Sequence, residues 1–470
     1  MRQRTEAPHS ATIEHAARRY RWLSSARRAR TSYLVLCMVS IVAGVALGTS
    51  FYPGTGQLLS NTSYVGLSGG TGGASCPIAT GWSQFPVAGP SQGEAAGGMA
   101  YDYLDGYVVY FGGYTGSSYV STTWEYSGGC WKSLGALSPS PDGRSEFAMA
   151  WDGTDSQVLL FGGADNGGGG VNQCLASNSY YFYMCGDTWG FSGAAWHAIC
   201  NNGDGAGTGG STCGTTPPPM NAPMMAYDPV QGDCNQGGVT TAPSTGCVFL
   251  FGGLKCTSSC NTATEVDSDS GTLYEFFSNA WHSTTLTGPP ARDFGGMTYD
   301  YNDGYLLLYG GETSSCNAGS CTYLGGSCVK DTAMSNYCDD AWSLTGGTWT
   351  QQCQGKVDWK GSTVGACYMP GTYATALAYD NYQNYVFDFG GFNGWVSTYD
   401  SDAHGYVYGA FKWVAAPAGG GDWTAVSNPG ATVGRFAPAE VYDPGTNDQY
   451  VIVLGGSNSG GYYATTYVFR

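Results

Sequence analysis

The stretch MAYDYLDGYVVYFGG (residues 99–113) decides the fold. It runs from an apolar segment ending in aromatic-Asp, through a short Asp/Gly turn, into an apolar strand closed by Gly-Gly. The same unit returns five times. Met149-Ala-Trp151-Asp152 leads to VLLFGG (158–163), and Met225-Ala-Tyr227-Asp228 leads to VFLFGG (248–253). Met297-Thr-Tyr299-Asp300 leads to YLLLYGG (305–311), and Leu377-Ala-Tyr379-Asp380 to YVFDFGG (385–391). Glu440-Val-Tyr442-Asp443 leads to YVIVLGG (450–456). Two short apolar runs joined by an Asp/Asn/Gly turn form an antiparallel hairpin. Beyond each Gly pair comes a polar loop. A third strand follows (122–126, 187–191, 272–277, 340–344), then a fourth near Trp131, Trp196, Trp281, Trp349 or Trp423. Four antiparallel strands repeated around a ring make the blades of a β-propeller.

The order of Gly pair, downstream aromatic and Trp resembles the kelch repeat over residues 76–470. The resemblance implies an all-β, six-bladed propeller and says little about activity. In three copies the family's Arg stands eight residues before the Asp: Arg144, Arg292 and Arg435. The other three copies carry Glu94, Met220 and Thr372 there. The sixth copy stops at its third strand, TTYVFR (465–470), and a spare Trp strand, GWSQFPV (81–87), precedes the first copy. Pairing the two closes the ring with strands from both ends and removes an exposed edge.

Composition agrees with this reading. The chain has 75 Gly in 470 residues, 14% aromatic residues and 11% charged ones. No G-X-Y period runs through it, and so much Gly disfavours a helical bundle. Charge divides the chain. Residues 1–32 hold eight Arg against Glu6 and Glu14, whereas the rest carries 10 basic and 33 acidic residues. After the basic segment, residues 33–49 are apolar and nearly long enough to cross a hydrocarbon core as a helix. Arg before such a run holds the N-terminus in the cytoplasm and sends the remainder across. The expectation is a single-pass signal anchor and a Gly/Ser-rich linker over 50–75. A signal peptide cleaved from a secreted protein is the alternative. Nucleic acid is excluded as a partner for so acidic an external part.

Cysteine points to the same compartment. One of the 17, Cys37, lies in the apolar run. The other sixteen include seven close couples. These are Cys174 with Cys185, Cys200 with Cys213, Cys234 with Cys247, Cys256 with Cys260, Cys316 with Cys321, Cys328 with Cys338 and Cys353 with Cys367. Cys76 and Cys130 are left over. The couples bracket Gly/Ser/Thr-rich insertions, where a disulfide restricts loop entropy. Spacing leaves the connectivity open.

Few residues carry obvious chemistry. The Asp of every aromatic-Asp pair recurs in all six copies, which suits a turn cap better than a catalytic acid. Arg144, Arg292 and Arg435 fall near one channel mouth, where they would clamp an anion or serve in salt bridges, Arg144 with Glu146 or an acid of an adjacent blade. His197 and His282 follow Trp at equivalent positions. Asp267 with Asp269, and Asp400 with Asp402, alternate as calcium ligands do, though without a distal Glu; no other cofactor is expected. The insertions are rich in aromatics, including Tyr180, Tyr181, Tyr183 and Trp395, and form candidate recognition loops. The leading expectation is a binding or adhesion module for a protein or glycan. The alternative is a secreted carbohydrate-active enzyme or an oxidoreductase similar to galactose oxidase, working at the channel mouth.

Overall fold

Continuous apolar runs buried on both faces, with Asp at the turn, give every copy the same hairpin, and two further strands complete each sheet. Blade one is Gly98–Asp102, Tyr107–Phe111, Thr123–Ser127 and Cys130–Gly135. Blade two is Ala148–Asp152, Gln157–Phe161, Thr188–Ser192 and Ala195–Cys200. Blade three is Met220–Asp228, Cys247–Ser258, Leu273–Phe277 and Ala280–Ser283, with Val266–Asp269 added beside its long second strand. Blade four is Gly296–Asp300, Tyr305–Tyr309, Ala341–Thr345 and Thr348–Cys353. Blade five is Ala376–Asp380, Tyr385–Phe389, Ala410–Ala415 and Gly421–Val426.

Blade six contains Ala439–Asp443, Tyr450–Leu454 and Thr466–Phe469, and its outer strand is Ser83–Phe85 from the far end of the chain. Ser83 faces Val468, so both ends close the ring as expected. This computed structural model describes residues 83–85, 89–90, 93–165, 174–175, 183–200, 213–234, 238, 243, 245–258, 266–313, 328–330, 336–338, 340–353, 372–392, 407, 409–415, 421–426, 434–445 and 449–469. The apolar run 33–49 and the linker 50–75 lie outside them. Among the described residues the helical content is one short 3-10 turn, Gln231–Asp233, and no helix is long and apolar enough to cross a membrane.

The first strands of the blades stand side by side around the axis. Two rings of backbone hydrogen bonds join them. In the inner ring, the N–H six residues before each turn Asp donates to the carbonyl of the same position in the preceding blade. The circuit runs Glu146 to Ala96 (2.9 Å), Ala222 to Glu146 (2.6 Å), Phe294 to Ala222 (3.0 Å), Ala374 to Phe294 (2.7 Å), Ala437 to Ala374 (2.9 Å) and Ala96 to Ala437 (2.9 Å). All six residues are left-handed, with φ between 49° and 59°. In the outer ring, the second Gly of each pair donates to the carbonyl eight residues before the Asp of the next blade, as Gly113 does to Arg144 (2.8 Å). Gly112 has φ 72°, and a Cβ there would lie 2.6 Å from that carbonyl, which is why the position excludes a side chain.

The core is not central. Six apolar clusters fill the six blade interfaces, one each. Each fourth-strand Trp is a rivet in such a layer. Trp196 packs edge-on against Phe111 of blade one at 5.2 Å, and Trp281 against Phe161 of blade two at 5.3 Å. The indole N–H of Trp196 donates to Thr123, that of Trp281 to Thr188 and that of Trp131 to Thr466, each at 2.9 Å. These threonines open the third strand of the preceding blade. Leu273 and Ala341 hold the equivalent places in blades three and four, and among the described residues the facing Trp349 and Trp423 indoles have no hydrogen-bond partner.

Disulfides staple the periphery. Cys200–Cys213 and Cys234–Cys247 are bridged, with Cα atoms 5.8 and 5.9 Å apart. Cys130, Cys185, Cys338 and Cys353 are also disulfide-bonded. Cys174 and Cys328 stand opposite Cys185 and Cys338 in their strand pairs. The other expected couples reach beyond this region. Cys76, Cys260, Cys316, Cys321 and Cys367 all lie outside the described residues. The couple of Cys316 with Cys321 therefore falls wholly outside, as do the expected partners of Cys256, Cys260, and of Cys353, Cys367.

Two substitutions test the Trp–Thr joint. Thr188→Val leaves the buried Trp281 N–H unpaired and lowers unfolding free energy by about 1–2 kcal/mol. Ala341→Ser offers Trp423 an acceptor and should leave stability unchanged or raised in denaturant titrations. A loss as large as that of Thr188→Val would show that the indole gains nothing from it.

Candidate functional site

The three arginines expected at the mouth occupy alternate blades and turn into their own sheets. Arg144 is fully buried; its guanidinium grips Asp187 with two bonds of 2.6 and 2.9 Å and donates to the Gly162 and Asp142 carbonyls. Arg292 repeats this on Asp340 (2.7 and 3.1 Å), with the Gly310 and Pro290 carbonyls. Both pairs are fully desolvated. Arg435 differs because Thr465 replaces the Asp. It donates to Thr465 Oγ1 (3.0 Å) and the Gly455 carbonyl (2.6 Å), and it lies between the rings of Tyr463 and Tyr467, 4.7 and 4.6 Å from their centroids. The partner of Arg144 is therefore Asp187, an acid of its own blade. Glu146 instead accepts from Asn221 Nδ2 at 2.6 Å.

Glu94, at the corresponding position of blade one, is buried and accepts from the Tyr110 hydroxyl at 2.7 Å. Burial pushes its carboxyl up to about 7, although the Tyr110 bond opposes this. The turn aspartates cap their turns: Asp102 Oδ1 accepts from the N–H groups of Leu104 (2.9 Å) and Asp105 (3.1 Å). Asp152, Asp228, Asp300, Asp380 and Asp443 accept comparable bonds from the residues that follow them. Burial raises Asp152, Asp228 and Asp300 to about 7 as well.

At the Gly-pair end the channel mouth has two unlike halves. Phe294, Tyr373 and Phe436 of blades four, five and six form an aromatic cluster, with ring centroids 5.3–6.2 Å apart. Glu146 and Asn221 of blades two and three supply a carboxylate and an amide beside it. Tyr114 and Tyr119 of blade one pack nearby with tilted rings at 4.9 Å, and Tyr114 meets Tyr462 edge-on at 5.8 Å. Burial raises the Tyr119 hydroxyl, and the charge of Glu146 adds to the effect. Rings beside a hydrogen-bonding carboxylate and amide form a surface that grips polar molecules with apolar faces. This mouth is built from positions six and seven residues before the Asp; the first is Ala in four copies and Glu146 or Phe294 in the other two, and the second varies throughout. Only the aromatic character of blades four to six hints at it.

Tyr183 lies on the short strand Tyr183–Cys185 of the blade-two insertion, paired with Ala164–Asp165. Asp267 and Asp269 lie on the strand Val266–Asp269 rather than in a loop. Among the described residues no group of three His, Cys, Asp or Glu could hold a metal ion. Tyr180, Tyr181, Trp395, Asp400 and Asp402 fall outside the described residues. His197 contacts Gln157 at 2.8 Å, and His282 stacks on Phe277 at 4.4 Å; both sit on outer strands, away from the axis.

No protein-family model matches the chain, and no curated protein matches it. Among solved structures it is similar to YjhT, with a TM-score of 0.46 and 12% identity, covering 83% of this chain and 95% of that one. At that identity the likeness concerns fold alone.

Two outcomes follow from these buried charges. Asp187→Ala strands the Arg144 charge and costs about 3–5 kcal/mol, whereas Arg144→Leu with Asp187→Leu together costs less than that single change; thermal unfolding of the three variants decides it. Glu94, Asp152, Asp228 and Asp300 bind protons more tightly folded than unfolded. Their contribution is full below the unfolded carboxylate pKa of about 4 and is lost as pH rises through about 7. The unfolding temperature therefore falls between about pH 4 and pH 7, and Glu94→Gln makes the fall shallower.

Proposed function

We propose that this chain is an exported kelch-type propeller, held at the cell membrane by residues 33–49, that recognises a glycan or protein ligand at its Gly-pair face. The observation that carries this reading is the divided mouth, where the rings of Phe294, Tyr373 and Phe436 adjoin Glu146 and Asn221. An aromatic face beside a carboxylate and an amide suits a sugar, whose ring stacks while its hydroxyls donate. The disulfide Cys200–Cys213 staples an insertion at the same end, and such loops enlarge the contact area. The disulfides support an oxidising, extracytoplasmic location. Commitment of Arg144 and Arg292 to internal aspartates favours neutral ligands over an anion clamped by all three arginines.

A glycan array probed with the purified full-length chain tests this. Binding should fall about tenfold with Tyr373→Ala or Glu146→Gln, since each removes one principal contact. Binding indifferent to both changes, turnover of a bound glycan, or stoichiometric copper with a tyrosyl radical signal would overturn the reading.

A further inference from the structure

The opposite end of the channel, formed by the inner-hairpin turns, has a different chemistry. Six large hydrophobic side chains are exposed among the described residues. Five of them are on these turns: Tyr103 (48%), Leu104 (61%), Val230 (40%), Tyr301 (46%) and Tyr382 (53%). The sixth, Val414, lies on the third strand of blade five. Tyr103 and Tyr301 belong to blades one and four, across the axis from each other. Tyr103 leans over Trp151 of blade two at 5.7 Å, and Tyr301 over Tyr379 of blade five at 5.4 Å. The hydroxyl of Tyr301 is raised chiefly by burial and next by Tyr103, which places the two in one electrostatic neighbourhood.

The field there has one sign. The described residues of the six turn segments, within 102–106, 152–156, 228–246, 300–304, 380–384 and 443–449, include ten Asp and neither Lys nor Arg. Asp443 acts on Tyr103, and Asp228 on Tyr301. Asp105 and Asp303 are exposed at the rim. Aromatic faces within a field of carboxylates attract a cation through the ring quadrupole and through ordinary Coulomb attraction at once. A neutral ligand gains only the first kind of contact, and an anion is repelled.

We propose that this turn-end face is a docking surface for a partner polypeptide that presents an arginine or lysine side chain to the channel mouth. The cation sits between Tyr103 and Tyr301, and the partner's apolar residues cover Leu104, Val230 and Tyr382. This site is independent of the Gly-pair mouth, and either can fail without the other.

The probe is a short labelled peptide of arginine, leucine and glycine, compared with the same peptide carrying glutamine for arginine. Anisotropy is read on the full-length chain near pH 8, where Asp228 and Asp300 are ionised. The arginine peptide should bind about tenfold more tightly. Tyr103→Ser with Tyr301→Ser should abolish that preference, and Tyr103→Phe with Tyr301→Phe should keep it. Tyr382→Lys, on a more exposed turn, should also weaken binding and serves if the serine pair does not fold. A preference that survives the serine pair reports only attraction to an acidic protein and overturns the proposal. Equal binding of the two peptides does so as well.

Discussion

Everything in this molecule rests on the close backbone approach between neighbouring blades. A Gly pair ends the second strand of each sheet, and its N–H reaches a carbonyl of the next blade, while a left-handed residue passes the inner hydrogen bond onward. Because these bonds use only main chain, every blade can meet its neighbour in the same way whatever its side chains are. A left-handed non-Gly residue is costly in isolation. Six recur here because each is locked on both sides by the same ring.

That separation of duties explains the variety at one repeat position. The residue eight before the Asp supplies its carbonyl in every blade, so its side chain is released for local use. In blades two and four it is Arg with Asp187 or Asp340 as counter-charge, and in blade six Arg with Thr465 and two tyrosine rings. In blade one it is a buried Glu held by Tyr110. The guanidinium groups cross from the first strand to the start of the third, tying together parts of a blade that a long insertion separates.

Most of the architecture was legible in the repeat, including the six blades, the turn caps, the Trp strands and closure by GWSQFPV. Periodic hydrophobicity and invariant punctuation are local signals. The Arg partners were not legible because Asp187 and Asp340 lie 43 and 48 residues downstream, beyond insertions of unrelated sequence. The inner ring was hidden for another reason. Its residues are four Ala, one Glu and one Phe, and a shared backbone angle leaves no shared side chain. The candidate mouth inherits that obscurity, since its rings and carboxylate stand at or beside those positions. The exposed turn tyrosines were visible in the sequence, but whether an aromatic beside a turn is buried or presented depends on its neighbours in the ring.

The closing strand has a consequence for how the molecule comes to exist. Ser83 and Val468 belong to one sheet, so blade six has an unpaired edge until the two ends meet. All other sheets are built from strands close to one another in the chain. Assembly thus needs, besides local hairpins, a set of contacts between blades one and six that spans nearly the entire propeller, the kind of step that loop entropy makes slow. Until that contact forms, the third strand of blade six, Thr466–Phe469, offers an open edge to any passing extended chain, including another copy. The ring that leaves the finished sheet without a free edge there exposes one in any chain whose ends have not yet met.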